Sequence, residues 1–156
     1  MYKKILVPLD GSELAECVLP HAEELAKLGK GEITLVSVTE RVKGYRVIED
    51  RAEPRGERLA PEALGKKERQ ADRYLNRLAK GLEAKGIKVQ TEVLLGNPAE
   101  EIALYAEFHP CDLVIMASHG RSGPSKWAYG SVAEKVFRAI CVPILMVRAP
   151  GCFVGI

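Results

Sequence analysis

Five short apolar runs, each followed by a segment of different periodicity, constrain this chain more than any other feature. They are Ile5-Leu6-Val7-Pro8-Leu9, residues 33–38, residues 87–94, Asp112-Leu113-Val114-Ile115-Met116-Ala117 and Val142-Pro143-Ile144-Leu145-Met146-Val147. Runs this short, apolar at successive positions, read as strands buried on both faces. Between them the spacing becomes helical. Residues 13–28 set Leu14, Cys17, Val18, Ala22, Leu25 and Ala26 on one helix face, and residues 61–85 do the same with Ala71, Leu75, Leu78 and Leu82. Further helices are expected after Asn97 and from Gly130 through Ile140. Strand and helix alternate throughout, which predicts an α/β fold with a parallel sheet covered on both faces. No repeat or boundary interrupts it, so residues 1–150 are expected as one domain and 151–156 as a tail.

Local signals sharpen this outline. Pro20 removes a hydrogen bond from the first helix and predicts a kink or a short first segment. Gly29 and Gly31 are expected to stop that helix, and Gly86 the next. Asn97-Pro98-Ala99-Glu100 combines an N-cap, a proline at the first position and an acid at the third. The third strand alternates, with Lys88, Gln90 and Glu92 opposite Ile87, Val89 and Thr91, as suits a sheet edge. Residues 40–62 carry glycine and proline breaks and many charges without a period, and are expected as a long surface loop.

Bulk properties exclude several functions. The net charge is +2, from 23 basic and 21 acidic residues, so no nucleic-acid footprint is expected. The densest basic stretch, Lys66 to Arg77, is interleaved with Glu68 and Asp72 and reads as a solvated helix face. Cys17, Cys111, Cys141 and Cys152 lack metal-ligand spacing; three of them sit beside apolar residues where a small thiol packs well, and a reducing, cytoplasmic setting is expected. The first strand begins at once, so no signal peptide is expected, and no apolar run reaches membrane-spanning length.

In an open parallel sheet, ligands bind beyond the carboxyl ends of the strands, where strand order reverses. Leu9-Asp10-Gly11-Ser12, Val38-Thr39 and the stretch after Met116 fall there. The last runs Ala117-Ser118-His119-Gly120, then nine residues, then Gly130-Ser131-Val132. Glycines admit a close approach of backbone to an anion, and the next helix offers free N–H groups and a favourable dipole. This is phosphate-cradle chemistry. Ser131-Val132-Ala133-Glu134 also reads as a capping box, and Asp10 with Glu13 as a cap of the first helix. Neither GxGxxG after the first strand nor GxxxxGK[ST] occurs, which excludes a standard dinucleotide site and a P-loop. His119 has no triad or metal-ligand spacing and is expected to pack beside a ligand rather than act as a base.

Six segments, in this order, resemble the universal stress protein family over almost the whole chain. They are Ile5 through Ser12, Gly96-Asn97-Pro98, Asp112 through Met116, Ser118-His119-Gly120-Arg121-Ser122-Gly123, Gly130 through Val136, and Val142 through Val147. The resemblance implies a three-layer sandwich with a five-stranded parallel sheet in the order 3-2-1-4-5. The family's nucleotide-binding branch carries G-x-x-G, nine residues, then G-[ST]. This chain keeps Gly120, the spacing and Gly130-Ser131, and has Ala117 at the first glycine, a strand end that needs no positive φ. The implied ligand is ATP with Mg²⁺, bound with little or no turnover. Val38 and Met116 would flank adenine, with Pro8 and Leu9 lining its pocket. Asp10 would lie near the ribose or a phosphate-bound Mg²⁺, with no direct protein metal site. Gly120, Arg121, Gly130, Ser131 and Val132 would hold the phosphates, with Ala117 and His119 alongside.

A family member without nucleotide, acting through protein contacts, is the alternative. A phosphoacceptor receiver is excluded: Asp10 is single, the third strand ends Leu94-Leu95-Gly96, and Val147-Arg148 follows the fifth. A nucleotide-activating ligase would need an early phosphate loop and a second domain. The fifth strand, apolar on both faces, predicts a homodimer through that edge.

Overall fold

The computed structural model describes residues 1–40, 65–120 and 130–151. The expected loop at 40–62, apart from Glu40, lies outside the described residues, as do the helix start at Pro61 and the tail beyond Gly151. Strands β1 (Lys4–Pro8), β2 (Glu32–Thr39), β3 (Lys88–Leu95), β4 (Leu113–Ala117) and β5 (Ile144–Val147) alternate with helices α1 (Leu19–Gly29), α2 (Lys66–Glu83), α3 (Pro98–Phe108) and α4 (Ser131–Ala139). All strand pairs are parallel, in the order β3-β2-β1-β4-β5. The expected α/β architecture and strand order are therefore present.

Strand alternation sorts the core into two layers. Ile5, Val7 and Leu9, with Ile33, Leu35, Leu113 and Ile115, pack beneath α1 and α2 through Val18, Ala22, Ala26, Leu75, Ala79 and Leu82. On the opposite face Leu6, Val36 and Val114 meet Tyr105 and Ala106 of α3. Met116 meets Ile102, Ala133 and Val136 beside them. Right-handed crossovers account for this division: the chain winds outward from β1 to β3, then returns to β4 and winds the other way. The reversal falls between β1 and β4.

Three local expectations are refined. The first helical stretch opens as a short 3-10 turn (Ala15–Val18), and α1 begins only at Leu19. Pro20 thus lies in the first turn, where its missing N–H costs no helical bond. The same helix ends on Lys30 in the left-handed region (φ 48°), not on a glycine. Gly29 and Gly31 instead make room for the chain leading into β1: a Cβ would meet the Tyr2 carbonyl oxygen at 2.5 and 2.8 Å respectively. The fifth strand is also shorter than expected, because Val142 and Pro143 precede its ladder.

Glu32 ties three strands together at the amino end of the sheet. Its carboxylate pairs with Lys4 of β1 and with Lys88 of β3, the latter at 2.7 Å. Hydrogen bonds from Lys4 first, then Lys88, hold its carboxyl below the ordinary range. The stabilisation is present above the unfolded carboxylate's pKa and fades as pH falls through the lowered one. Exposure of both lysines keeps it small. Cys17 and Cys111 are half-buried, and burial raises the Cys111 pKa; Cys141 is exposed.

Candidate functional site

The carboxyl ends of β1, β2 and β4 border a cavity of about 860 Å³. Its position at the β1/β4 reversal is where open parallel sheets place ligands. Eleven of the twelve residues singled out from the sequence line it: Pro8, Leu9, Asp10, Val38, Met116, Ala117, His119, Gly120, Gly130, Ser131 and Val132. Arg121 lies outside the described residues.

One half of the wall is apolar. Val38 and Met116 project from the sheet on the α3 and α4 side, joined by Pro98, Ile102, Val132 and Ala133. Pro98 and Ile102 escaped the sequence reading because Asn97-Pro98 signals a helix start, and nothing in that signal tells which neighbour the first turn faces. The start itself is as expected: the Asn97 side chain accepts from the N–H groups of Ala99 and Glu100 at 3.1 and 3.3 Å.

The polar half is built by two turns. After β1, Asp10 Oδ1 accepts from the Ser12 amide (2.9 Å) and hydroxyl (2.5 Å). Ser12 Oγ in turn accepts from the Ala15 amide at 3.3 Å. Ser12, not Asp10, therefore caps the helical turn, and the Asp10 carboxylate is oriented toward Gly120. A Cβ on Gly120 would collide with Asp10 Oδ2.

After β4, Ser118 is fully buried and fastens three segments. Its N–H donates to the Val147 carbonyl (2.7 Å), its carbonyl accepts from Gly130 N–H (2.6 Å), and its hydroxyl accepts from Ala149 N–H (3.1 Å). The same hydroxyl lies 3.0 Å from His119 Nδ1. His119 is 3% exposed and packs under the start of α4.

This anchoring alters the reading of Gly130. A Cβ there would lie 3.1 Å from the Ser118 carbonyl oxygen, tighter than ordinary contact. Its φ of −70° demands no glycine. The residue is small because β4's exit passes close, so a side chain at 130 perturbs packing as well as any ligand.

The capping-box reading of Ser131 does not hold. Gly130 is the N-cap, Ser131 is the first helical residue, and among the described residues no side chain caps α4. The first-turn amides of a helix have no intrahelical acceptor. In α3 a side chain meets them; in α4 no described side chain does, and they stand at the cavity wall with the positive end of the helix dipole.

Sequence reasoning also missed a third wall. Lys67, Gln70, Ala71 and Tyr74 of α2 line the cavity, with Thr39 and Glu40 at the end of β2. Burial, then the nearby Glu16 charge, raises the Tyr74 phenol's pKa, so it stays protonated. Arg77 stacks over its ring, 5.6 Å from the centroid. Thr39 Oγ1 is buried with no hydrogen-bond partner among the described residues. Among the described residues, no cluster of three or more His, Cys, Asp or Glu side chains is arranged to hold a metal ion. None of their helices is long and apolar enough to cross a membrane. His109, outside the cavity, stacks on Tyr105 at 3.9 Å and is structural.

A parallel α/β sheet with a glycine-bearing cleft at its reversal point defines a class of small-ligand-binding domains. Residues 1–148 match the model of the universal stress protein family, and the chain belongs to that family. It is 35% identical over 150 residues to Universal stress protein MJ0531 of Methanocaldococcus jannaschii, spanning 96% of this chain and 84% of that one. The solved structure of MJ0577, a universal stress protein from the same organism, superposes with a TM-score of 0.78 at 32% identity. That match covers 97% of this chain and 99% of the other. A universal stress protein from Archaeoglobus fulgidus, solved in complex with dAMP, shares the fold at 19% identity and a TM-score of 0.64. There 93% of this chain and 97% of the other are covered.

Proposed function

We propose that this chain binds ATP in the cavity at the β1/β4 reversal and serves as a nucleotide-sensing stress-response or regulatory module with little or no turnover. The observation that carries the reading is the start of α4, which no side chain among the described residues caps. Its amides, with Gly130 and Ser131, form an anion-binding wall opposite an apolar slot between Val38 and Met116. A ligand with a flat apolar ring at one end and phosphate at the other fits both halves. The fold is shared with a relative that takes dAMP, an adenine nucleotide. Mg²⁺ would enter on the phosphates, with Asp10 beside it, since the described residues offer no metal cluster of their own.

Ser131→Ala tests this directly. Ser131 caps nothing and is exposed, so its replacement is expected to leave the melting temperature unchanged. Loss of a donor to a charged oxygen, about 1.5–3 kcal/mol, should weaken ATP roughly ten- to hundred-fold. Calorimetric titration beside a thermal melt checks both. A lower melting temperature with unchanged ATP affinity would sink the reading.

Ala117 supports a second reading, an interaction module without nucleotide, because its methyl stands where the family's motif has glycine. Its backbone takes no positive φ, so the alanine is conformationally unstrained. Nucleotide released on denaturing freshly purified protein distinguishes the two.

A homodimer through β5 belongs to the same proposal. β5 is a sheet edge; Ile144 and Met146 pack inward, while Leu145 remains 36% exposed. An unguarded apolar edge favours pairing with a second copy. Light scattering at micromolar concentration should give twice the 17.1 kDa chain mass; monomer alone would contradict the dimer.

A further inference from the structure

The third wall of the cavity, on α2, lies outside every motif that marks the site. Lys67, Gln70, Ala71 and Tyr74 stand at i, i+3, i+4 and i+7, which makes them one stripe along the helix. Lys67 and Gln70 are exposed, and both line the same cavity as Asp10, Gly120 and Ser131.

Charge singles out Lys67. Among the described residues bordering the cavity, Asp10 and Glu40 bring carboxylates, and Lys67 is the one lysine or arginine. No ion pair among the described residues engages its ammonium. The start of α4 supplies only partial charge and Mg²⁺ neutralises only part of a triphosphate's, so a full cation on the wall favours a polyphosphate entering beside two carboxylates.

We propose that Lys67 is a specificity-determining residue of this site: reaching from α2, it contacts the phosphates beyond the first and so selects nucleoside polyphosphates over monophosphates. This rests on the nucleotide-binding reading above. The amides of Ser131 and Val132 hold the phosphate nearest the ribose, and a monophosphate extends no further. A longer chain runs toward α2, where a flexible four-carbon stem carries a compact cation to meet it. Gln70, one turn on, offers a neutral donor at the same wall.

The experiment compares ATP and AMP by calorimetric titration against wild type, Lys67→Gln and Lys66→Gln. Lys66 is exposed on the same helix and does not line the cavity, so it reports the general loss of one positive charge. Lys67→Gln should weaken ATP about tenfold, the loss of one charge-assisted bond, while AMP affinity stays as in wild type. Lys66→Gln should leave both unchanged, and all three proteins should melt together. Equal ATP affinity in wild type and Lys67→Gln would overturn the inference and leave nucleotide binding intact. So would equal losses from the two lysines, which would show a field effect rather than a contact. Wild type binding neither nucleotide would overturn the parent reading, and this one with it.

Discussion

Gly120→Val is expected to abolish detectable ATP binding and to lower the melting temperature by on the order of 5 °C. Any Cβ at this position runs into Asp10 Oδ2 and lies 3.1 Å from Asp10 Cγ. Aspartate is too short to swing clear while its other oxygen holds Ser12. Relieving the collision therefore breaks the bonds from the Ser12 amide and hydroxyl, and with them the support of the Ala15 amide. Losing such partly buried bonds costs about 1–3 kcal/mol. The two turns that frame the polar half of the cavity then separate, and valine's branches enter the space left between them. Thermal melts and Mg-ATP titration of the same preparation check both effects. Retention of wild-type affinity would show that the Asp10–Gly120 contact does not shape the ligand site.

Ile115→Ala is the second large effect, and it acts on the fold instead. Ile115 is completely buried on β4, between β1 and β5, in the core layer beneath α1 and α2. Truncation there removes transfer energy and leaves a cavity that a sheet flanked on both sides cannot collapse to fill, a loss of about 2–5 kcal/mol. Against a typical domain stability of roughly 5–15 kcal/mol this is a large fraction. The melting temperature should fall by about 10 °C. Met116 and Ala117, on the same strand, keep their places, so the folded fraction should still bind ATP. Chemical denaturation gives the stability change. A loss below about 1 kcal/mol would mean that this layer repacks, against the close packing expected of such a core.

Much of this was legible in the residues. Apolar runs such as Ile5 to Leu9 and Leu113 to Ala117 mark strands because a parallel strand covered on both faces has no polar side to show. The Asn97 cap was equally plain, since side-chain capping is a local hydrogen bond between near neighbours. Strand order required the family resemblance, as alternation alone admits several sheets. Site residues near strand ends were readable because topology confines ligands there.

What escaped the sequence depends on distance in space. Gly29 and Gly31 looked like helix stops, yet the contact that requires them is with the Tyr2 backbone, more than twenty residues earlier. Ser131 looked like a cap, because only the actual start of α4 distinguishes the N-cap from the first helical residue. The α2 wall was invisible for the same reason. Lys67 and Gln70 read as a solvated face, and only the packing of α2 against β2 and β3 turns that face toward the cavity. Tyr74 carried no signal beyond a helical position beside Leu75.

The most direct test of nucleotide binding is calorimetric titration of Mg-ATP into the purified wild-type protein. Saturable binding with a dissociation constant on the order of micromolar is the expected result. Absence of any binding heat up to millimolar ATP, from protein that melts cooperatively and carries no nucleotide from purification, would contradict it.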